Sequence, residues 1–495
     1  MNAPPRELRR PPYWLFPVFA VLMLSPTWAT VALAAMAVGV TVVRGVLSAR
    51  SRHLDAARSG PASETIVLGT GQTGEQARLS DHQLSAHGLI VGASGAGKST
   101  TLLTILTEQV RRGRPVVAID LKGSPGFARE LASAAATVGR PFGIWTPDGP
   151  NHWNPLQHGN PTELKDKLIA TERFTEPHYQ RAAERYIQTV LQVLEHANSG
   201  RAPTLEQVVR LMDPHLMPGM LRGLPRPFAE RVQDYIAGLT PDQLSAIRGL
   251  GTRLAIISES HTGRYLSAAP DTAPTSDPAP ASATTIDLRK ALDGPEVVLF
   301  SLNSSTYGKL AGQIGTLVVQ DLVAAVGHRL TREAIASDRR ARSPATVGID
   351  EFSALEADHL VSLLARGREA GVSVLVATQE LADLDRAAPG VRDQVLGNTA
   401  VKIAHRQDVP ASAHAIAQMV GTEKVWEHTE QTGNRWFGGY DTGRGTRRRV
   451  EQFVVHPDEI KRLGTGQAVV ITKLPTAQAR TVRVTPPRRE GPEIG

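Results

Sequence analysis

His87-Gly-Leu-Ile-Val-Gly-Ala-Ser-Gly-Ala-Gly-Lys-Ser-Thr100 is the stretch whose reading decides the fold. An apolar run expected to form a strand leads directly into Gly92-x-x-x-x-Gly97-Lys98-Ser99, and a helix-forming segment follows. In this phosphate-binding loop, glycines at 92, 95 and 97 let backbone amides crowd around an anion and the next helix presents its N-terminus to it. Gly92, Ser94, Gly95, Ala96, Gly97, Lys98, Ser99 and Thr100 are therefore the candidate nucleotide contacts. Lys98 would neutralise the outer phosphates and Ser99 would ligate Mg2+, so ATP with Mg2+ is the expected ligand.

Hydrolysis of such a ligand needs a second acidic element at a strand end. Ala345-Thr-Val-Gly-Ile-Asp350-Glu351 supplies it. Its apolar residues predict a buried strand ending in adjacent acids, with Asp350 suited to the metal shell and Glu351 to polarising the attacking water. The next apolar run, Val372 to Thr378, ends at Gln379, which the parallel arrangement would bring beside the acids as a sensor of the terminal phosphate. Arg366 and Arg368, on the helix between these strands, are candidates for a cation reaching the nucleotide of a neighbouring subunit.

Working outward, strand and helix alternate. Strands are expected over 65–68, 88–91, 115–120, 141–145, 296–302, 345–350, 372–378 and 400–404, which reads as an α/β fold with a parallel sheet covered by helices. Strands are also expected over 450–455 and 467–473, and Arg444 with Arg447 to Arg449 in the tip of a hairpin between strands. Helical periodicity without a strand predicts an all-helical insert over 160–265, followed over 266–285 by a disordered loop with prolines at 270, 274, 278 and 280. The nucleotide-binding domain thus spans 65–159 and 286–480, and 481–495 reads as a loose Arg/Pro-rich tail.

The formal charge of +7 does not mark a DNA-binding face. Seven arginines against Glu7 and Asp55 place +5 of it within the first 60 residues, around an apolar run from Tyr13 to Val43. That run, broken at Ser25-Pro26 and flanked by arginines on both sides, predicts a membrane anchor over 1–47. Two short crossings satisfy the charges best, and one tilted helix is the alternative. A connector over 48–64 joins it to a domain in the cytoplasm, beneath the cell membrane. The absence of cysteine excludes disulfides, thiolate metal sites and cysteine nucleophiles. The histidines are scattered without ligand spacing.

In this order the pieces resemble the conjugative coupling ATPases of type IV secretion, the TraD/TraG class, which stand with FtsK and HerA among RecA-like hexameric motors. The resemblance rests on the membrane segment, the phosphate loop, Val117-Ala-Ile-Asp120-Leu-Lys122-Gly123, Trp153-Asn-Pro-Leu156 before the insert, the acid pair, and Gly367-Arg368-Glu369-Ala370-Gly371 ahead of the strand closing at Gln379. It implies a RecA-like P-loop NTPase with an N-terminal transmembrane hairpin, assembled as a homo-hexamer that translocates DNA irrespective of sequence. Partners would be a relaxase or nucleoprotein and secretion-channel components. By position it gives Arg368 the role of an arginine finger completing the neighbour's site, with Lys98, Glu351 and Gln379 as its catalytic companions. Asp120-Leu-Lys122-Gly-Ser124 departs from the family's usual Asp-Pro-Lys-Gly-Glu, which leaves the role of Lys122 open. A protein-export motor or substrate receptor is the alternative reading. An ABC subunit is not expected, since no Leu-Ser-Gly-Gly-Gln lies between the nucleotide motifs.

Overall fold

A computed structural model describes residues 65–487, except 172–173, 175, 270–282, 336–342, 356 and 436–437. The expected membrane anchor and connector, most of the proline-rich loop and the end of the tail lie outside the described residues.

The strands are β1 (Thr65–Gly71), β2 (Gln76–Ser80), β3 (Gly88–Val91), β4 (Val116–Asp120), β5 (Phe142–Trp145), β6 (His152–Trp153), β7 (Thr285–Ile286), β8 (Val297–Ser301), β9 (Ala345–Asp350), β10 (Val372–Thr378), β11 (Val401–Ala404), β12 (Thr422–Arg435), β13 (Gly438–Phe453), β14 (Gln467–Thr472) and β15 (Gln478–Val484). Eleven of them form one sheet in the order β2-β1-β15-β14-β11-β3-β10-β9-β4-β8-β5. From β11 to β5 neighbouring strands run parallel. β14, β15 and β1 join antiparallel on the other side. The parallel strands read as near-continuous apolar runs because helices cover both of their faces.

Alternate residues of each strand enter two different cores. Val117 and Ile119 of β4 join Val347, Ile349, Val374 and Val376 on one face. Val116 and Ala118 point the other way, toward Leu102, Ile105 and Leu106 of helix α1 (Lys98–Arg111) and Phe127 and Leu131 of α2 (Pro125–Thr137). The helical region follows the expected periodicity: α3 (Pro161–Ile169), α4 (Pro177–Ala197), α5 (Leu205–Leu211), α6 (Arg226–Ala237) and α7 (Pro241–Ser258). Capping boxes from Asn160, Thr204 and Thr240 start α3, α5 and α7. α4 buries Ala183, Tyr186, Ile187, Val190, Leu191 and Leu194 in the same core as β9 and β10.

The Trp153-Asn-Pro-Leu156 motif anchors this region to the sheet. Trp153 is buried and packs edge-on against Phe300 with ring centroids 5.3 Å apart. Its indole N–H donates to Asp321 Oδ2 at 3.1 Å, and Asp321 Oδ1 accepts from Lys167 of α3 at 2.8 Å. Asn154 donates to the Pro203 carbonyl just before α5. Asp321 stands on the long helix α8 (Ser304–Ile335), whose span Ser304–Arg332 is long and apolar enough to cross a membrane. With 61% of its most apolar window buried in the protein, including Leu317, Val318 and Leu322, it acts here as a core helix.

Three expectations are corrected. β15 runs to Val484, so the boundary drawn at residue 480 cuts a strand, and the loose tail cannot begin at 481. β2 lies in a segment that the sequence reading left without a strand, because its alternation is only five residues long. Arg447 to Arg449 are not at a hairpin tip: they sit within β13, opposite His428, Glu427 and Trp426 of β12 in a long two-stranded ribbon. The ends of the proline-rich loop are also held, by Ala269 N donating to Thr285 Oγ1 and by the pairing of β7 with β6.

Candidate nucleotide site

The turn from β3 into α1 is shaped by two neighbours that come from far along the chain. Gly97, at φ +116°, initiates α1 in a left-handed conformation that disfavours any side chain. A Cβ at Gly92 would lie 2.6 Å from the Cβ of His405, at the end of β11. Gly466, just before β14, donates its N–H to the Ala96 carbonyl at 3.0 Å. His405 is fully buried, and burial together with the charge of Lys98 pushes it down to about 4, so it is neutral. The Gln467 carbonyl, 2.9 Å from Nδ1, can only accept, which puts the ring proton on Nδ1 and leaves Nε2 to accept from the Thr101 hydroxyl at 2.8 Å. His405 thereby ties the first turn of α1 to β14.

Lys98 Nζ donates to the Gly92 and Ala93 carbonyls at 2.5 and 3.2 Å. Burial lowers its pKa, with the nearby charge of Lys122 acting in the same direction. Ser99 Oγ donates to Asp350 Oδ2 at 2.5 Å. Asp350 Oδ1 is buried and has no hydrogen-bond partner among the described residues. A hydroxyl and a carboxylate with a free buried oxygen form a hard-oxygen pair, which fits Mg2+ held through one carboxylate and the substrate's phosphates. No group of three metal-ligating side chains occurs among the described residues.

Asp120 closes β4 directly opposite Asp350 and is wholly buried. Burial, reinforced by the Asp350 charge, raises its pKa against the backbone N–H groups of Lys122 and Ser124 that it accepts from at 2.9 and 2.6 Å. Those bonds curl the chain so that Lys122 reaches back over the edge of the sheet. Its Nζ lies 2.8 Å from Glu351 Oε2, and the charges of Asp350, Glu351 and Asp120 raise its pKa against the opposing effect of burial. Glu351 adopts φ +62°, a left-handed conformation rare for a residue with a side chain and a concentration of strain typical of functional sites. Its other oxygen accepts from Gln379 Nε2. β10 lies between β3 and β9, with Thr378 level with Val91 and Ala377 with Asp350, and this brings Gln379 between the loop and the acids.

The structure thus assembles the 92–100 loop, Lys98, Ser99, Asp350, Glu351 and Gln379 at one edge of the sheet. Lys122, whose role the sequence left open, joins them. Asp120, Thr101 and His405 were missed as site residues: each matters through pairing between strands distant in sequence, and only the apolar run into Asp120 resembled the run into Asp350. Arg366 and Arg368 are exposed and lie outside this cluster. Arg368 precedes β10 and so sits at the opposite edge of the sheet, roughly 20 Å from the loop by the rise of a seven-residue strand. It cannot serve the site of its own chain.

A family model described as "TraM recognition site of TraD and TraG" matches residues 344–465, which includes the acid pair, Arg368 and Gln379. The plasmid coupling protein TrwB in complex with the GTP analogue GDPNP is similar in structure, with a TM-score of 0.62 at 16% identity over 88% of this chain and 94% of that one. TrwB in complex with ADP and Mg2+ gives 0.61 at 15% identity, over 89% and 94%. VirB4 of Thermoanaerobacter pseudethanolicus gives 0.53 at 15% identity, over 86% and 97%. At these identities the likeness shows the fold. No curated protein matches the chain in sequence. The family match and the shared fold carry the resemblance to the TraD/TraG coupling proteins read from the sequence.

Proposed function

We propose that this chain is the ATP-hydrolysing motor of a conjugation apparatus, a coupling protein that drives DNA through the membrane. The observation that carries this reading is the setting of Glu351, held between Lys122 and Gln379 one residue beyond the Ser99–Asp350 pair. Glu351 is placed to orient water and accept its proton, Gln379 to register the state of the terminal phosphate, and Lys98 and Lys122 to oppose charge growing on the phosphate oxygens. When bound, Mg2+ would neutralise phosphate oxygens from Ser99 and Asp350.

Arg368 faces away from its own loop, as a finger acting on an adjacent copy must, and a head-to-tail ring, a homo-hexamer in this reading, supplies that copy. The apolar segment over 1–47 anchors the motor to the cell membrane. The name of the matching family model supports a TraM-like or other nucleoprotein partner docking within 344–465.

The test uses the full chain in detergent or lipid nanodiscs. ATP turnover should rise on adding single- or double-stranded DNA at low salt, and Glu351→Gln should cut it by about 10²-fold or more while ATP binding persists. Turnover indifferent to DNA and stimulated by a protein substrate would replace this reading with a polypeptide motor.

A further inference from the structure

At the sheet edge opposite the phosphate loop lies a cavity of about 480 Å³, and four adjacent strands each bring it a basic group. Arg368 precedes β10, His87 precedes β3, Lys402 is the second residue of β11, and Lys473 follows β14. Among the described residues, no carboxylate lines it. Lys402 is buried, its ammonium donating to the Thr399 carbonyl; Lys473 is exposed and donates to the Met419 carbonyl at 3.1 Å, and Arg368 is exposed. Three cations gathered around a partly enclosed space without a counter-charge repel one another, and an anion entering it would relieve that repulsion. Burial and the charge of Lys473 hold Lys402 down to about 8, with no acid pulling it back.

We propose that this cavity binds a phosphate group, and that in the assembled protein the group belongs to the nucleotide held by the loop of an adjacent copy. Lys402 and Lys473 then join Arg368 in completing that site. The inference rests on the motor reading through Arg368 and extends it to two lysines on other strands. A ring built head to tail apposes two different surfaces of each copy. The loop and this cavity lie at opposite edges of one sheet, as such an arrangement requires.

Lysine acetylation of the full-length assembled protein, read by mass spectrometry, tests this. A non-hydrolysable ATP analogue with Mg2+ should slow labelling of Lys473 and Lys402 by about fivefold or more, comparable to occupancy of a bound site. Glu351→Gln should retain the protection and Lys98→Ala, which removes the loop's phosphate contact, should abolish it. Protection that survives Lys98→Ala and is reproduced by inorganic phosphate alone would mean a free anion and overturn the shared site. Protection by DNA alone, or by nothing, would overturn it as well. In a second arm, the Lys402→Met/Lys473→Met double variant should lose about tenfold or more in kcat/KM for ATP in the assembled protein, and restoring the charge with Lys402→Arg should recover part of it. Unchanged kcat/KM would overturn the proposal. DNA stimulation is scored separately, so the reading of DNA as the cargo can fail while the shared site stands.

Discussion

His405 is the residue whose role is least visible in the sequence and most specific in the structure. Its place beneath the loop follows from β11 pairing with β3, more than 300 residues earlier in the chain. Because His405 and His87 are both pushed down to about 4 by burial, each binds fewer protons folded than unfolded between that value and the ordinary 6.5. Folding stability is therefore fully present above pH 6.5 and is lost as the pH falls toward 4, by about 1.4 kcal/mol per pH unit for each histidine and roughly 3 kcal/mol in all from each. Urea midpoints measured from pH 7.5 to 4.5 should fall more steeply for the native chain than for His405→Asn. Equal slopes would show that His405 does not titrate with folding. The loop, Lys98 and the acid pair were legible because their chemistry is local, a few residues in a row on one turn or strand end. Asp120 and Lys122 became site residues only once the register set Asp120 against Asp350.

Among the elements, the join between the insert and the sheet rests on the Lys167–Asp321 pair. Both side chains are nearly inaccessible, at 3% and 6% exposure, and Trp153 supplies a second hydrogen bond to Asp321. Asp321→Ala leaves a buried ammonium unpaired and should cost about 3–5 kcal/mol, seen as a lowered thermal midpoint. Lys167→Met/Asp321→Leu should recover most of the loss; failure to do so would mean that the Trp153 hydrogen bond, not the ion pair, carries the join. The insert was legible because long amphipathic helices announce themselves through spacing. β2 and β15 were not, since QARLS and QARTVRV at the sheet's antiparallel side hold few apolar residues and so carry little periodic signal. In the β12–β13 ribbon, glycines and arginines read as a turn, although a two-stranded ribbon outside the main sheet accepts polar residues on both faces.

For the whole molecule, the proposed finger role of Arg368 would make hydrolysis a property of the assembly. Arg368→Ala should lower turnover by about 10³-fold or more with nucleotide binding intact. Mixing it with Lys98→Ala protein should restore activity, because a loop from the first and a finger from the second meet at one of the two kinds of mixed seam. No recovery on mixing would place the finger's action within a single chain. The overall α/β plan was legible from the alternation of elements, whereas the order of the strands, which decides what faces what, was not.

Leu68 accepts from Thr485, Val484 donates to Gly466, and Gly466 donates to Ala96 within the phosphate loop. These bonds lie in series between the first described strand and the nucleotide cradle. Tension arriving through the segment ahead of Thr65 would therefore reach Ala96 after crossing two strands, without passing through the insert or the acid pair. Were that segment the proposed membrane tether, its load would be felt at Ala96 and so at the bound nucleotide.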